Sequence, residues 1–390
     1  MIRIGFLLNF PKEYKGGINY FKNLFYALSK VEKREFQIFL FLPDDIDKEY
    51  IEMFSPYVTI VITSLLKRGN PFWFADKVSG KLLNYMPFTI RLLKQYKIDI
   101  VSHSNFYSRF SSFKIINWIP DFQWVHYPDL WSKRGISNLR LMTRKVLQYS
   151  DAIVVSSQDA KKDLLTFDDA DKSNIQVLQF VSQPNHNKEG NLEELRRHVE
   201  KEYNFSGSFF FLPNQFWRHK NHLIAFKAIK EMKKKGLNPL LITTGLMHDF
   251  RNRNEHIDSL MKYVKDEQLQ DNIRFLGLIP YRHVLFLMEN CLAVINPSLF
   301  EGWSSTVEEA KSIGKLTVLS DIPVHREQNP SGAIYFNPFD EHDLANALAN
   351  IWQNKADLPV VDAGKVNEDL ENRTRLFAER YTDIVNGVKS

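Results

Sequence analysis

The sequence predicts an α/β protein made of two similar halves, each with a parallel sheet. Three observations predict this class. Short apolar runs of strand length alternate with amphipathic helical patterns along the chain. The alternation stops at a polar, turn-rich segment, 182–190, and resumes after a charged helical pattern at 191–203. A chain of 390 residues is also long enough for two domains.

The first half reads as strand, helix and strand from its N-terminus. A strand pattern at 2–8 leads through a loop with Gly16 and Gly17 to a helical pattern at 18–29. Further strand patterns stand at 36–42, 58–62, 98–101, 115–119, 152–156 and 175–180, and helical patterns at 143–148 and 159–166. We therefore expect a Rossmann-like domain over 1–182.

The second half repeats the same alternation. Strand patterns stand at 209–212, 240–244, 273–276, 292–295, 317–320 and 334–336. Helical patterns stand at 222–234, 256–267, 281–289, 307–313 and 372–385. We expect a second Rossmann-like domain over 205–371, a linker and connecting helix at 183–204, and a cleft between the two domains. We expect the C-terminal helix, 372–390, to pack back on the first domain.

Composition excludes several classes of protein. A single cysteine, Cys291, excludes an intrachain disulfide and fits a reducing compartment. The net charge of +5 is too small to indicate nucleic acid by itself, and we expect no nucleic-acid partner. No apolar segment has the length of a membrane span, and the N-terminal apolar run is too short for a signal peptide. We expect a cytoplasmic protein.

A strand–loop–helix junction at 296–311 carries two carboxylates, Glu301 and Glu309. Open α/β sheets bind ligands at the carboxyl ends of their strands, beside helix N-termini. A helix that begins near Ser304 would let Glu309 face the same cleft as Glu301. Two acids at this spacing are also common on solvated helices, so the pair alone is weak evidence.

A second junction, 214–222, places Arg218 and Lys220 near a helix N-terminus. Cationic side chains beside the positive end of a helix dipole favour an anion, best a phosphate. The alternative is a solvated turn with incidental cations. Glu309 suits a ribose, because a carboxylate accepts hydrogen bonds from vicinal hydroxyls. Together these residues predict a site for a nucleotide diphosphate on the second domain.

The combination resembles the retaining family 4 glycosyltransferases, which have the GT-B fold. The resemblance covers most of the second half, and only a looser match through Gly16-Gly17 and the first strand extends it to the first half. It rests on segments in matching order and spacing: His219-Lys220-Asn221, Phe275-Leu276-Gly277, Asn296-Pro297-Ser298, and Glu301-x7-Glu309 followed by Ala310, Gly314 and Ser320-Asp321.

The resemblance implies roles for individual residues. Glu301 would lie by the donor sugar, Glu309 would bind the nucleotide ribose, and Lys220 would bind the diphosphate. The chain departs from the family where Gln215 replaces a common arginine, so Arg218 is expected to supply that charge. The usual Gly and Pro inside the loop are replaced by Ser304 and Thr306.

We expect the hydroxyls of Ser305 and Thr306 to cap the helix, so that the loop still presents backbone N–H groups to a phosphate.

The first half offers candidates for the acceptor side. Many family members have a His-Asp pair where this chain has Pro120-Asp121, so Asp121 is the candidate for a sugar hydroxyl or an acceptor proton. An Asp that begins a turn is an equally good interpretation. His103 and His126 rank below it, because a lone histidine is more often structural. In family terms the Gly16-Gly17 loop faces the donor diphosphate and the acceptor.

No metal and no cofactor are expected. The D-x-D patterns at 45–47 and 169–171 lie in acidic, turn-like stretches that are better explained as solvated loops. Aromatic residues interleave with Lys and Arg at 65–97, and this pattern suits peripheral contact with an anionic membrane, at the inner face of the cytoplasmic membrane. Base stacking on nucleic acid and a partly buried helical insert are the alternatives.

The function that these expectations support is transfer, with anomeric retention, of a hexosyl group from a UDP- or GDP-sugar. The acceptor would be a hydroxyl of a glycan or lipid-linked oligosaccharide, in bacterial O-antigen or capsule synthesis. A non-catalytic nucleotide-sugar-binding protein is the alternative, suggested by the missing His and Arg. A dinucleotide oxidoreductase is disfavoured because no G-x-G-x-x-G follows the first strand.

Overall fold

The structure is a computed structural model that describes residues 1–8, 15–110, 112–167, 174–184, 192–248, 255–358 and 361–389. The chain divides into two compact units. Unit 1 consists of Met1–Val181 and Glu371–Ser390, and unit 2 of Ser182–Leu370.

Unit 1 contains a seven-stranded parallel sheet in the order β3-β2-β1-β4-β5-β6-β7. Its strands are β1 (Ile2–Leu7), β2 (Phe36–Pro43), β3 (Thr59–Thr63), β4 (Ile100–Ser102), β5 (Lys114–Ile119), β6 (Ala152–Val155) and β7 (Ile175–Val177). Most residues of β1 and β2 and all of β4 and β6 are buried, as expected of parallel strands covered on both faces.

Seven helices of unit 1 lie between these strands among the described residues. They are α1 (Lys15–Ser29), α2 (Lys48–Phe54), α3 (Pro71–Leu83), α4 (Pro87–Gln95), α5 (Gln123–His126), α6 (Lys133–Tyr149) and α7 (Gln158–Leu164). The sequence prediction of a loop at Gly16-Gly17 is wrong, because both glycines lie in the first turn of α1. The first N–H groups of a helix need no partner within the helix, so flexible glycines are tolerated there.

Unit 2 contains a six-stranded parallel sheet in the order β10-β9-β8-β11-β12-β13. Its strands are β8 (Phe210–Leu212), β9 (Leu241–Thr243), β10 (Ile273–Phe275), β11 (Val294–Asn296), β12 (Thr317–Ser320) and β13 (Ile334–Phe336). Its helices are α8 (Leu192–Glu202), α9 (His222–Lys234), α10 (Glu255–Asp266), α11 (Tyr281–Asn290), α12 (Ser305–Ser312), α13 (Pro323–Gln328) and α14 (Glu341–Gln353).

Helix α14 has no counterpart among the sequence predictions, although its signals are present. The Asp340 carboxylate accepts from the N–H groups of His342 and Asp343 and so caps the helix. Leu344 and Leu348 recur one turn apart and are buried in the core of unit 2, which α9 also joins.

A last helix, α15 (Ala363–Lys389), begins in unit 2 and ends in unit 1. It is longer than the predicted pattern at 372–385. Within unit 1 the ring of Tyr381 is fully buried beside Phe6 and Phe36, and its hydroxyl donates to the Ser102 hydroxyl. The C-terminal residues of the chain therefore complete the core of unit 1.

Both sheets have a topological switch point, where the chain stops adding strands in one direction and starts in the other. In unit 1 it lies between β1 and β4, and in unit 2 between β8 and β11. Connections leave a switch point toward opposite faces, which opens a crevice at the carboxyl ends of the two strands. Among the described residues, no helix combines the length and apolarity that crossing a membrane requires.

Candidate active site

The switch point of unit 2 holds a buried ion pair between the two loops that leave it. The Lys220 Nζ donates to Glu301 Oε1 at 2.6 Å, and the two side chains are only 15% and 8% exposed. Lys220 lies in a tight turn after β8, and Glu301 in the loop after β11. The turn and the loop are also joined by their backbones, because the Leu299 N–H donates to the His219 carbonyl oxygen.

The environment keeps the Glu301 carboxyl ionised. Burial alone would raise its pKa, but the Lys220 ammonium, His325 and the hydrogen bonds from Lys220 and Ser298 together hold the pKa below its ordinary value. Ser298 Oγ donates to Glu301 Oε1 at 2.7 Å. A fixed carboxylate beside a fixed ammonium is thus present at this strand edge.

Two buried asparagines fix the loops beneath this pair. Asn214, after β8, donates from its side-chain amide to Asn296 Oδ1 at 2.9 Å, and Asn296 in turn donates to Ser304 Oγ at 2.8 Å. Gly245 permits the close approach of a third loop, because its φ is +137° and a Cβ there would lie 2.4 Å from the Asn214 carbonyl oxygen. The loop backbones are therefore rigidly placed.

The α12 N-terminus is capped by Ser304, not by Ser305 or Thr306 as the sequence predicts. The Ser304 hydroxyl accepts from the Val307 N–H, and its backbone has the extended conformation of a cap. Thr306 is buried instead, and its hydroxyl donates to Asn214 Oδ1 at 3.0 Å. The prediction fails because the helix begins one residue earlier than capping by Ser305 would need.

Glu309 lies in α12 and is 9% exposed. The hydroxyl of Tyr281, the first residue of α11, donates to Glu309 Oε1 at 2.9 Å. Burial and the adjacent carboxylate raise the pKa of Tyr281, so its hydroxyl stays a donor at neutral pH. The carboxylate therefore keeps acceptor capacity for a further hydroxyl partner.

Sequence reasoning missed two buried polar residues in α13. The Gln328 side-chain amide donates to the Ser304 carbonyl oxygen and its oxygen accepts from the Ser304 N–H, so it supports the cap of α12. His325 Nδ1 lies 2.9 Å from the Ser320 carbonyl oxygen. Its Nε2 is buried with no hydrogen-bond partner among the described residues. The Ser320 hydroxyl lies beside His325 Nδ1 and donates to the carbonyl oxygen of Ser298, the residue that donates to Glu301.

The predicted donor-binding residue Arg218 is exposed and lies in the same tight turn as Lys220. Asn221 ends that turn with a left-handed φ of +53° and precedes α9. The structure thus brings five predicted residues together at the carboxyl ends of β8 and β11: Arg218, Lys220, Glu301, Ser305 and Thr306.

His103 is a packed structural histidine at the switch point of unit 1. It follows β4 and is 3% exposed, with Nε2 2.9 Å from the Tyr20 hydroxyl and Nδ1 2.8 Å from the Ser102 hydroxyl. Burial lowers its pKa to about 3, so the ring is neutral. The sequence-based prediction of an acceptor-side role stays a prediction.

Two of the other first-half candidates, Asp121 and His126, form hydrogen bonds within unit 1. Asp121 Oδ1 accepts from the Gln123 N–H at 3.0 Å, which is the turn-forming role weighed against catalysis. His126 is partly exposed and its Nε2 lies 2.9 Å from both oxygens of Asp163. Gly16 is exposed and Gly17 is buried in the first turn of α1. Their predicted roles stay predictions.

Neither D-x-D pattern forms a described metal site. Asp45 and Asp47 are exposed and belong to no cluster of three ligands among the described residues, and 169–171 lies outside the described residues. The cluster of three potential ligands that the described residues do form is His198, Glu202 and His283, whose ligand atoms lie within 4.8 Å of one another. It joins α8 to α11 and shares no residue with the Glu301 network.

Two comparisons of sequence relate the chain to known proteins. Residues 199–375 match the sequence model of the family described as Glycosyl transferases group 1. The O-antigen chain mannosyltransferase RfbU of Salmonella typhimurium is 31% identical over 146 residues, which are 37% of this chain and 39% of that protein. The aligned part therefore spans well under half the length of that relative.

Solved structures resemble the whole chain. A glycosyltransferase of Rickettsia africae has a TM-score of 0.67 to this chain at 16% identity, and the match covers 100% of this chain and 99% of that one. HepE of Anabaena, solved with UDP and glucose, has a TM-score of 0.63 at 14% identity, and the match covers 100% of this chain and 98% of that one. The expected fold is thus confirmed. Residues 199–375 are thus similar to the group 1 glycosyl transferases, and the chain has the expected GT-B fold.

Proposed function

We propose that the protein transfers a hexosyl group from a UDP- or GDP-sugar to a hydroxyl of a glycan or lipid-linked acceptor, with anomeric retention. The observation that carries this proposal is the buried pair of Lys220 and Glu301 at the switch point of unit 2, beside Glu309 on α12. An ammonium, an orienting carboxylate and a ribose-binding carboxylate are the groups that a nucleotide diphosphate sugar requires.

The donor binds to unit 2 in this proposal. Glu309 accepts hydrogen bonds from the ribose hydroxyls while Tyr281 holds its other oxygen. Lys220, Arg218 and the N–H groups at the start of α12, near Ser305 and Thr306, stabilise the diphosphate as the glycosidic bond breaks. Stabilising such developing charge is usually the largest catalytic contribution, about 3–4 kcal/mol for one well-placed donor.

Glu301 orients the donor sugar. The acceptor binds to unit 1, where Asp121 and the start of α1 are the candidate contacts. Its hydroxyl attacks the anomeric carbon on the face that the diphosphate leaves, and the departing phosphate oxygen takes the hydroxyl proton. The cationic side chains neutralise the diphosphate, so the proposal needs no divalent metal and no cofactor.

The relatives support the direction of this proposal. RfbU is an O-antigen chain mannosyltransferase, and a lipopolysaccharide outer core galactosyltransferase, WaaB, has a TM-score of 0.58 to this chain at 15% identity. HepE of Anabaena binds UDP and glucose. We therefore infer a role in bacterial surface polysaccharide synthesis.

The proposed turnover is tested by incubating the protein with UDP-, GDP-, ADP- and dTDP-sugars and measuring release of the nucleoside diphosphate. Lys220→Met should lower turnover about 100-fold or more, because one developing charge loses its donor. Lys227→Met, which breaks a partly exposed pair with Glu341, is the matched control and should keep wild-type turnover.

Equal rates in the two variants would exclude Lys220 from the chemistry. Donor binding without release of product, in every donor tested, would favour the non-catalytic nucleotide-sugar-binding alternative. Proton NMR of the glycosidic product decides retention, because inversion of the anomeric configuration contradicts the proposed same-face attack.

We also propose that the segment 65–97 contacts an anionic membrane surface. Large apolar side chains on α3 are mostly exposed, at 54% for Phe72, 62% for Phe74, 73% for Leu82 and 65% for Leu83. Lys77 and Lys81 lie on the same helix, so apolar and cationic groups occur together as at a membrane interface.

Flotation with phosphatidylglycerol vesicles should recover the protein, and Phe74→Ser with Leu82→Ser should abolish recovery. A wild-type protein that stays in solution refutes this contact.

A further inference from the structure

A cavity of about 460 Å³ lies at the switch point of unit 1. Leu7 at the end of β1 and Ser104 and Asn105 after β4 line its sheet side. The Ser104 hydroxyl accepts from the Leu7 N–H at 2.8 Å and donates to the Ser102 carbonyl oxygen at 2.7 Å, which fixes this edge. The cavity therefore occupies the place where open α/β sheets bind ligands.

Three lysines from two helices line the cavity: Lys77 and Lys81 of α3 and Lys145 of α6. Neither Lys77 nor Lys81 has an acidic side chain within ion-pair distance among the described residues. Burial lowers the pKa of Lys145, and Lys81 lowers it further. Burial and Arg68 likewise lower the pKa of Lys77 against the opposing effect of Asp76. Lys81 and Lys145 therefore repel one another at the cavity.

Asp76, the one acid among the described residues that line the cavity, already accepts hydrogen bonds from α4. Asp76 is buried, and its carboxylate accepts from the Phe88 N–H at 3.0 Å and from the N–H and hydroxyl of Thr89, each at 2.7 Å. These bonds satisfy the first turn of α4. The carboxylate is thus directed at a helix N-terminus and leaves the lysine charges in excess.

The Lys145 ammonium is positioned by hydrogen bonds to backbone carbonyl oxygens. It is 8% exposed, and its ammonium donates to the carbonyl oxygens of Gly80 at 3.2 Å and Lys81 at 3.1 Å, near the end of α3. It also lies 4.8 Å from the centre of the Tyr107 ring. An ammonium has three N–H groups, so one donor is left for a ligand in the cavity.

The remaining lining has an apolar part beside the cations, and it also includes polar residues. The apolar part is Leu7, Met86, Leu141 and Met142, and the polar residues are His103, Ser104, Asn105 and Asn138. A cavity with excess positive charge and apolar walls fits an anionic group attached to an apolar or sugar moiety. We propose that this cavity is the acceptor subsite and that it binds the phosphate of a phosphate-bearing acceptor between Lys77, Lys81 and Lys145. This inference rests on the proposed function.

The apolar walls and the exposed apolar face of α3 favour a lipid-borne phosphate over a soluble glycosyl phosphate. The two sources are distinguished with matched probes: decyl phosphate against decanol, both below the micellar range, and glucose 1-phosphate against glucose. Calorimetric titration of the wild-type chain should show that each phosphate binds at least about tenfold more tightly than its uncharged partner, with decyl phosphate tighter than glucose 1-phosphate.

The double variant Lys77→Ser/Lys81→Ser should lose this preference for phosphate. Arg91→Ser/Lys94→Ser removes the same charge from exposed positions of α4 that do not line the cavity, and it should bind decyl phosphate as the wild type does. Equal losses in both variants, or equal binding of decyl phosphate and decanol, would overturn the proposal.

Donor turnover separates this inference from the proposed function. The proposed donor contacts lie in unit 2, so Lys77→Ser/Lys81→Ser should retain slow hydrolysis of the donor by water while transfer to a phosphate-bearing acceptor falls. Donor hydrolysis that depends on Lys220 together with absent phosphate preference would refute the cavity assignment alone. Loss of any dependence on Lys220 would refute the proposed function itself.

Discussion

Residue by residue, the site of unit 2 depends on one ionised carboxylate that has little access to water. Glu301 accepts from both Lys220 and Ser298, and the Ser298 hydroxyl oxygen also lies 2.7 Å from Asn296 Oδ1. Moving a carboxylate out of water costs several kcal/mol unless cations and hydroxyls replace the water. The pair therefore persists only while both partners are present.

Breaking this pair should destabilise unit 2 measurably. Glu301→Gln leaves the Lys220 ammonium 15% exposed without its carboxylate, and we expect a loss of about 3 kcal/mol in the free energy of unfolding. Glu341→Gln breaks the Lys227 pair, whose side chains are 39% and 30% exposed, and should cost under about 1 kcal/mol. Urea unfolding measures both losses. Similar losses would show that the buried pair stabilises the protein no more than the partly exposed pair does.

Buried histidines give the stability of the protein a pH dependence of known sign. His103 has a pKa of about 3 in the folded state, against about 6.5 when unfolded. Below pH 6.5 the unfolded chain binds a proton that the folded chain excludes, so stability falls as pH falls toward 3. Between pH 7 and pH 5 the expected loss from this residue is about 2 kcal/mol.

This loss is measured by urea unfolding followed through Trp118, which stacks on Tyr20 beside His103. The variant His103→Gln should lose about 2 kcal/mol less than the wild type over the same pH interval. An identical pH dependence in the two proteins contradicts a neutral, buried His103.

At the scale of the element, α12 shows why the site residues are ordered before a ligand arrives. Ser304 caps the helix, accepts from Asn296, and is held through its backbone by both polar atoms of the Gln328 side chain. One serine therefore connects the β11 loop, α12 and α13. The first N–H groups of α12 and the carboxylate of Glu309 are oriented by this junction.

Removing the cap should loosen α12. Ser304→Ala deletes the capping oxygen and leaves a buried Asn296 donor without its partner, so we expect a loss of about 1–2 kcal/mol in the free energy of unfolding. Ser305→Ala, one residue later and outside the cap, should change stability by less than about 0.5 kcal/mol. Hydrogen exchange of α12 amides reports the local effect, and equal exchange in the two variants argues against the Ser304 junction.

The sequence identified the site residues that directly follow a strand, and it missed the site residues that are distant in sequence. Lys220, Glu301 and Glu309 lie in strand–loop–helix junctions that their own flanking pattern identifies. Tyr281 is 28 residues from Glu309 and begins an ordinary helical pattern. Gln328 is 24 residues from Ser304, in a segment where the sequence predicts no element. The folded unit 2, rather than the local sequence, brings such residues together.

On the scale of the whole molecule, the two units repeat one physical solution. Each sheet is all-parallel, and each carries its cations at the switch point: Lys220 between β8 and β11, and three lysines beside β1 and β4. The alternation of strands and helices made this architecture predictable. The residues that line the cavity of unit 1 were not, because Lys77, Lys81 and Lys145 belong to helices that the topology, rather than the local sequence, places there.

The central claim is that the β8–β11 edge of unit 2 binds a nucleoside diphosphate through Lys220 and Glu309. Isothermal titration of UDP and GDP into the wild type, Glu309→Gln and Lys220→Met tests it most directly. For at least one nucleotide we predict wild-type binding that each variant weakens about 10- to 100-fold, because each removes a charge-assisted contact. Glu267→Gln, at a partly buried pair with Lys230 away from the site, should bind as the wild type does. Wild-type affinity in both Glu309→Gln and Lys220→Met would contradict the claim.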